Sequence, residues 1–261
     1  MQEADSSGNI RVNYGINFLN KIVHLLNLHI MTNKKTTDRR SFLGSIAAGA
    51  TVAGIAAIST PLTLYAEDPF SAASPAEDPD EWFKQIKGKH RIVFDVTQPN
   101  GLYPFAWPRV FMNTNAQTGT PENQQSVVVV LRNKAIPYAF EDRIWEIYKL
   151  GEQFKIDDAA TKAPSLRNPF WRPKPGDFKV PGIGNVPIGI NELQSSGALF
   201  CVCDTAITVQ SAAVAQQMNL DAEKVRKDWV SGLLSGIQVV PSGVWAVGRA
   251  QEHGCAYCFA G

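Results

Sequence analysis

The sequence predicts an α/β fold, a doubly wound and mostly parallel five-stranded sheet in three α/β/α layers. Two observations carry this. Short β-rich runs alternate with segments of helical periodicity, the rhythm of βαβ units. The central run, Ser126 to Leu131, is apolar without a break, as expected of a strand buried on both faces.

Five strands are expected: Arg91–Thr97, Ser126–Leu131, Ala198–Cys203, Gly236–Pro241 and Cys255–Phe259, the last at a sheet edge. Between them, Phe140, Ile144, Ile147 and Tyr148 repeat at helical spacing. Further helices are expected over Val209–Met218, over Asp221–Leu234 with Asp221 as N-cap, and over Ser242–His253 after a Pro-Ser-Gly turn. Two stretches break the rhythm. Gln98 to Pro108 reads as a loop carrying Tyr103, Phe105 and Trp107. Ala159 to Gly189 holds six prolines and four glycines, and its Phe170, Trp171 and Phe178 argue for ordering against the body. Ligands of open α/β sheets bind outside the carboxyl ends of the strands. Two readings are open there: a pocket lined by Asp95, Tyr103, Trp107 and Trp171 with residues 159–189 as its lid, or ordinary packing of that lid over the core; Asp95 could equally pair with Arg109.

The chain has 261 residues with 25 basic and 24 acidic side chains. So even a balance gives no footprint for nucleic acid, and a hydrophobic fraction of 44% excludes disorder as the main state. The first quarter reads as an export leader. Arg39-Arg40 precedes Ser41-Phe42-Leu43, resembling a twin-arginine signal, and Leu43 to Leu64 is weakly apolar and uncharged. Gly44, Gly49, Gly54 and Pro61 make it a poor permanent anchor. Cleavage is expected near Ala66, with Ala76 as the fallback; an uncleaved signal would instead tether the protein to the membrane. Met31, just ahead of Thr-Asn-Lys-Lys, is the expected translation start, which leaves residues 1–30 outside the product. This organisation gives a leader over 1–66, a linker over 67–88 and a domain over 89–261. The leader's six basic and three acidic side chains leave 19 and 21 in the exported part, a periplasmic protein by this reading. The Tat translocase is then its partner during export.

All four cysteines fall late in the chain, as Cys201-Val-Cys203 and Cys255-Ala-Tyr-Cys258. Cys203 ends a strand and precedes a helix, whose positive end favours a thiolate; Asp204 would oppose this if close. Three chemistries are open: a reactive Cys203 with Cys201 as resolving or ligand partner, a metal held by all four thiolates, or buried thiols and disulfides of an oxidising compartment. The metal site requires the third and last strands to meet. His90 and His253 read as surface or capping residues, and Gly182 to Gly189 is no dinucleotide fingerprint, because no strand precedes it.

Over residues 89–261 the chain resembles the DsrE/DsrF-like family. The resemblance rests on the strand–helix order, the third strand ending in Val202-Cys203, the run Val239-Val240-Pro241-Ser242-Gly243-Val244, and Arg249 to Gly254 before a last short strand. It implies intracellular sulfur carriers as relatives, with a persulfide on the position matched by Cys203, a sulfur-relay protein or small molecule as partner, and a homo-oligomer. Three features depart from that pattern: the proline-rich insert, Asp204 after the cysteine, and the terminal CxxC. Export is a fourth departure, and the twin-arginine route often carries folded proteins with a cofactor aboard.

Overall fold

The computed structural model describes residues 80–261; the leader, its arginines and most of the linker lie outside them. The sheet runs β1 (His90–Val96), β2 (Gln125–Leu131), β5 (Leu199–Cys203), β6 (Ile237–Val240) and β7 (Ala256–Phe259). Its order is β6-β5-β2-β1-β7 and every pairing is parallel. The doubly wound five-stranded sheet is therefore observed. All five strands fall within about a residue of the expected bounds, and β7 is at an edge.

The helices are α1 (Tyr103–Gln117), α2 (Asp142–Tyr148), α3 (Leu150–Phe154), α4 (Ile190–Ser195), α5 (Asp204–Met218), α6 (Ala222–Ser231) and α7 (Gly243–Glu252). Asp221 caps α6, its carboxylate accepting the Lys224 N–H at 2.8 Å, and the Ser242 hydroxyl caps α7 through the Trp245 N–H. These caps occupy backbone donors that a helix start otherwise leaves unpaired. The expected loop at 98–108 is a correction, because α1 begins within it. Pro104 lies in the first turn, where no intrahelical N–H is required. Pro108 lies one turn further on and forfeits one bond, and burial of Phe105, Ala106 and Pro108 holds the helix despite it.

Right-handed crossovers that step from β1 to β2, β5 and β6 keep their helices on one face, and the reversed step from β6 to β7 puts α7 on the other. Two cores result. The larger gathers Phe94, Val129, Phe200 and Val202 with an aromatic group that includes Phe105, Tyr138 and Trp229. The smaller gathers Val93, Val128, Val130 and Cys201 beneath Ala246 and Ala250 of α7. Phe83 and Ile86 complete the smaller core. The expected linker thus ends earlier than residue 88, since the one-turn helix Glu81–Gln85 belongs to the fold.

The insert is stapled to the larger core. Phe170 packs on Phe105 and Phe178, at ring distances of 4.2 and 4.7 Å. Arg109 donates to Pro187 O, Glu192 O and Ser196 Oγ, which ties α1 to the end of the insert. A two-residue hairpin, β3 (Lys179–Val180) with β4 (Gly184–Asn185), is its regular element. Its main polar anchor is Asn168, fully buried, whose amide donates to Tyr138 O and Phe140 O at 2.9 Å each and accepts from the Phe170 N–H. Replacing it by alanine strands three backbone groups. Asn168→Ala is expected to lower stability by about 2–4 kcal/mol, read as a shift in the urea midpoint at unchanged slope. A midpoint unchanged from wild type would show that the insert is not an integral part of the fold.

Candidate functional site

The four thiols occupy four environments. Between β5 and β7 lie β2 and β1, so the Cys201-Cys203 and Cys255-Cys258 pairs sit three strand spacings apart, about 14 Å. Side chains cannot bridge that span, so these residues do not fit the four-thiolate metal site. Among the described residues no group of three or more His, Cys, Asp or Glu side chains is placed to hold a metal ion, and all four cysteines are free thiols. Cys201 is fully buried in the smaller core, and burial, followed by the neighbouring Cys203, pushes its thiol far up. It therefore stays protonated, which disfavours it as a resolving nucleophile. Burial pushes Cys255 up to about 11 and raises Cys258 as well.

Cys203 differs from these. It closes β5 and is the N-cap of the 15-residue α5, its Sγ accepting the Ala206 N–H at 3.3 Å. The residue is 6% exposed. The negative charge feared at the next position is directed away: Asp204 pairs with Arg226 of α6 at 2.6 Å, and Arg226 also donates to Thr208. Thr205 donates from both its N–H and its hydroxyl to Pro241 O, tying the start of α5 to the turn that leads into α7.

A second group adjoins Cys203. Leu131 is opposite Val202 in the β2–β5 register, and the next residues along the two strands are Arg132 and Cys203. Arg132 therefore directly follows the strand that neighbours the one Cys203 ends. Its guanidinium grips Asp95 through two parallel bonds, Nε to Oδ1 at 2.6 Å and Nη2 to Oδ2 at 2.8 Å. The Tyr257 hydroxyl of β7 donates to the same Oδ2 at 2.9 Å. Asp95 is 3% exposed. These bonds, with the charge of Asp95, raise the Arg132 pKa further, while burial and its bond to Asp95 raise that of Tyr257. α7 closes against this group. A Cβ on Gly243 would lie 2.6 Å from Arg132 Cβ, so a glycine is what lets the helix start approach.

The expected pocket is not assembled as a unit. Asp95 pairs with Arg132 rather than Arg109. Tyr103 and Trp107 stack on each other at 4.9 Å on α1 with large parts of both rings exposed, and Trp171 packs on the larger core beneath Arg172. No described hydrogen bond or ring contact joins the insert to Cys203. Sequence reasoning missed Arg132; the signal available was its place directly after the buried run Ser126–Leu131, which puts it at the sheet's carboxyl edge. It also missed a groove of about 580 Å³ at the opposite, amino ends of β5 and β6, lined by Trp82, Gln85, Gln194 and Gln238.

Cys203 and Cys255 are equally shielded, so their reactivities separate environment from access. In the native protein at pH 8, a maleimide is expected to label Cys203 faster than Cys255, with Cys201 last, as read by peptide mass spectrometry over time. Cys255 labelling first would mean that the helix start and Arg132 do not activate Cys203. No family model matches the chain, and no curated protein matches it. Among solved structures, a protein of unknown function from Methanobacterium thermoautotrophicum aligns at 18% identity with a TM-score of 0.34, over 66% of this chain and 99% of that one.

Proposed function

We propose that this is an exported, DsrE-like protein that handles sulfur, or another thiol-reactive ligand, through Cys203. The observation that carries the reading is the position of that thiol. It caps a long helix at the carboxyl edge of a parallel sheet, beside a guanidinium. The Sγ already accepts a backbone N–H at the helix start, and a thiolate is the form of a cysteine that attacks sulfur. The resemblance noted above assigns the same position to a persulfide, and the pairing of Asp204 with Arg226 removes one objection to it. With a polysulfide as donor, the Cys203 thiolate attacks the terminal sulfur. A new S–S bond forms, the adjacent S–S bond breaks, and the shortened polysulfide leaves with the electron pair.

Intact mass spectrometry tests this. After exposure to polysulfide and removal of excess donor, the wild type is expected to gain about one sulfur atom, lost on reduction, and Cys203→Ser is expected to gain none. An equal gain in the serine variant would place the chemistry on another cysteine. Export rests on the order of charge, apolar run and small-residue exit between Arg39 and Ala66. Changing Arg39 and Arg40 together to lysine is expected to hold the protein in the cytoplasm, read by cell fractionation. Unchanged periplasmic recovery would remove the twin-arginine route.

A further inference from the structure

The cluster formed by Asp95, Arg132 and Tyr257 has a property that the thiol reading does not use. Asp95 takes the Nε and Nη2 edge of Arg132, while Nη1 makes no hydrogen bond among the described residues. The side chain keeps 27% of its surface exposed. Three hydrogen bonds to one buried carboxylate, together with the start of α7 pressed on the aliphatic stem, fix the guanidinium in place. A guanidinium so anchored loses little entropy on binding and recognises anions through paired donors. The register puts it on the strand beside Cys203, one strand spacing away, about 5 Å between backbones. Two carboxylates at this edge of the sheet are already paired, Asp95 with Arg132 and Asp204 with Arg226.

We propose that the ligand handled at Cys203 is an anion, with Arg132 binding its charged group through the unspent Nη1 edge while the thiolate meets the adjacent electrophilic atom. Arg132 is then the residue that determines the charge class of the substrate, and Asp95 and Tyr257 are positioning residues that act through it. This rests on the reading of Cys203 as a reactive thiol. The ligand's class is a small sulfur or carbon electrophile carrying a carboxylate or sulfur oxyanion within a few ångströms of the reacting atom.

The test compares two alkylating agents that differ in charge, iodoacetate and iodoacetamide. In each the Cys203 thiolate attacks carbon, a C–S bond forms, the C–I bond breaks, and iodide leaves with the bonding pair. The ratio of the iodoacetate to the iodoacetamide rate at Cys203 isolates the anion's contribution. The near-zero net charge of the chain keeps the overall field from biasing it. The wild-type ratio is expected to exceed that of the double variant Asp95→Asn/Arg132→Gln by about tenfold, the size of one close charge contact. The paired change avoids leaving a buried carboxylate alone. Arg132→Lys, which keeps the charge, is expected to retain part of the preference.

Salt supplies a check that needs no variant. The wild-type ratio should fall between about 10 mM and 1 M salt as screening shortens from about 30 to 3 Å. Equal ratios in wild type and double variant, or a salt-independent ratio, would overturn the anion proposal while brisk iodoacetamide labelling left the thiol reading intact. Failure of both agents to label native Cys203 would instead remove the thiol reading, and the anion proposal with it.

Discussion

A carboxylate taken out of water must be paid for by partners, and in this protein the partners define the carboxyl edge of the sheet. Asp95 would be strongly destabilising on its own at its depth. Arg132 from the strand on one side and Tyr257 from the strand on the other supply three hydrogen bonds. The backbone repeats the linkage, with Arg132 N donating to Val96 O and Ala260 N to Asp95 O. β1, β2 and β7 are therefore locked in register by side chains as well as by the ladder. Cys203 depends on this lock, because the guanidinium beside it is held by groups from two other strands.

The two faces of the sheet divide the work unequally. The larger core carries most of the aromatic mass and the insert, whose Asn168 and Phe170 make it part of the fold rather than a loose lid. The smaller face is closed by α7 and a single helical turn before β1. α7 can sit that close only because Gly243 has no side chain. The helix that completes the smaller core thus also presses Arg132 into position, so packing and chemistry share the same contacts.

Much of the frame was legible in the chain. Short β-rich runs marked the strands, one of them unbroken, and Asp221 and Ser242 announced helix starts because capping is a local event written within four residues. What could not be read depended on neighbours remote in sequence. α1 was hidden by Pro104 and Pro108, whose local preference is overridden by burial of Phe105 and Pro108 against the sheet. The partner of Asp95 depended on register, which the composition of one strand does not contain. The separation of the cysteine pairs depended on strand order, and β7 could have been placed beside β5 by the same local patterns. Asn168 looked like any loop asparagine, since its value lies in three backbone groups contributed by one remote segment and its own. The polar residues that organise the site were the least visible, and the apolar ones the most.

Tyr257 and Asp95 are joined by a hydrogen bond across 162 positions of chain. β1 is made first among the strands, yet its outer neighbour is made last. Until that strand arrives, β1 presents one unpaired edge and Asp95 lacks the Tyr257 hydroxyl. Such long-range closure slows folding and leaves apolar strand exposed in the interval. During synthesis the nascent chain thus carries an unfinished sheet for almost its whole length, a state that invites holding by chaperones. Assembly of the thiol site is correspondingly late, so Cys203 acquires its cationic neighbour in its fixed position only when the fold as a whole is complete.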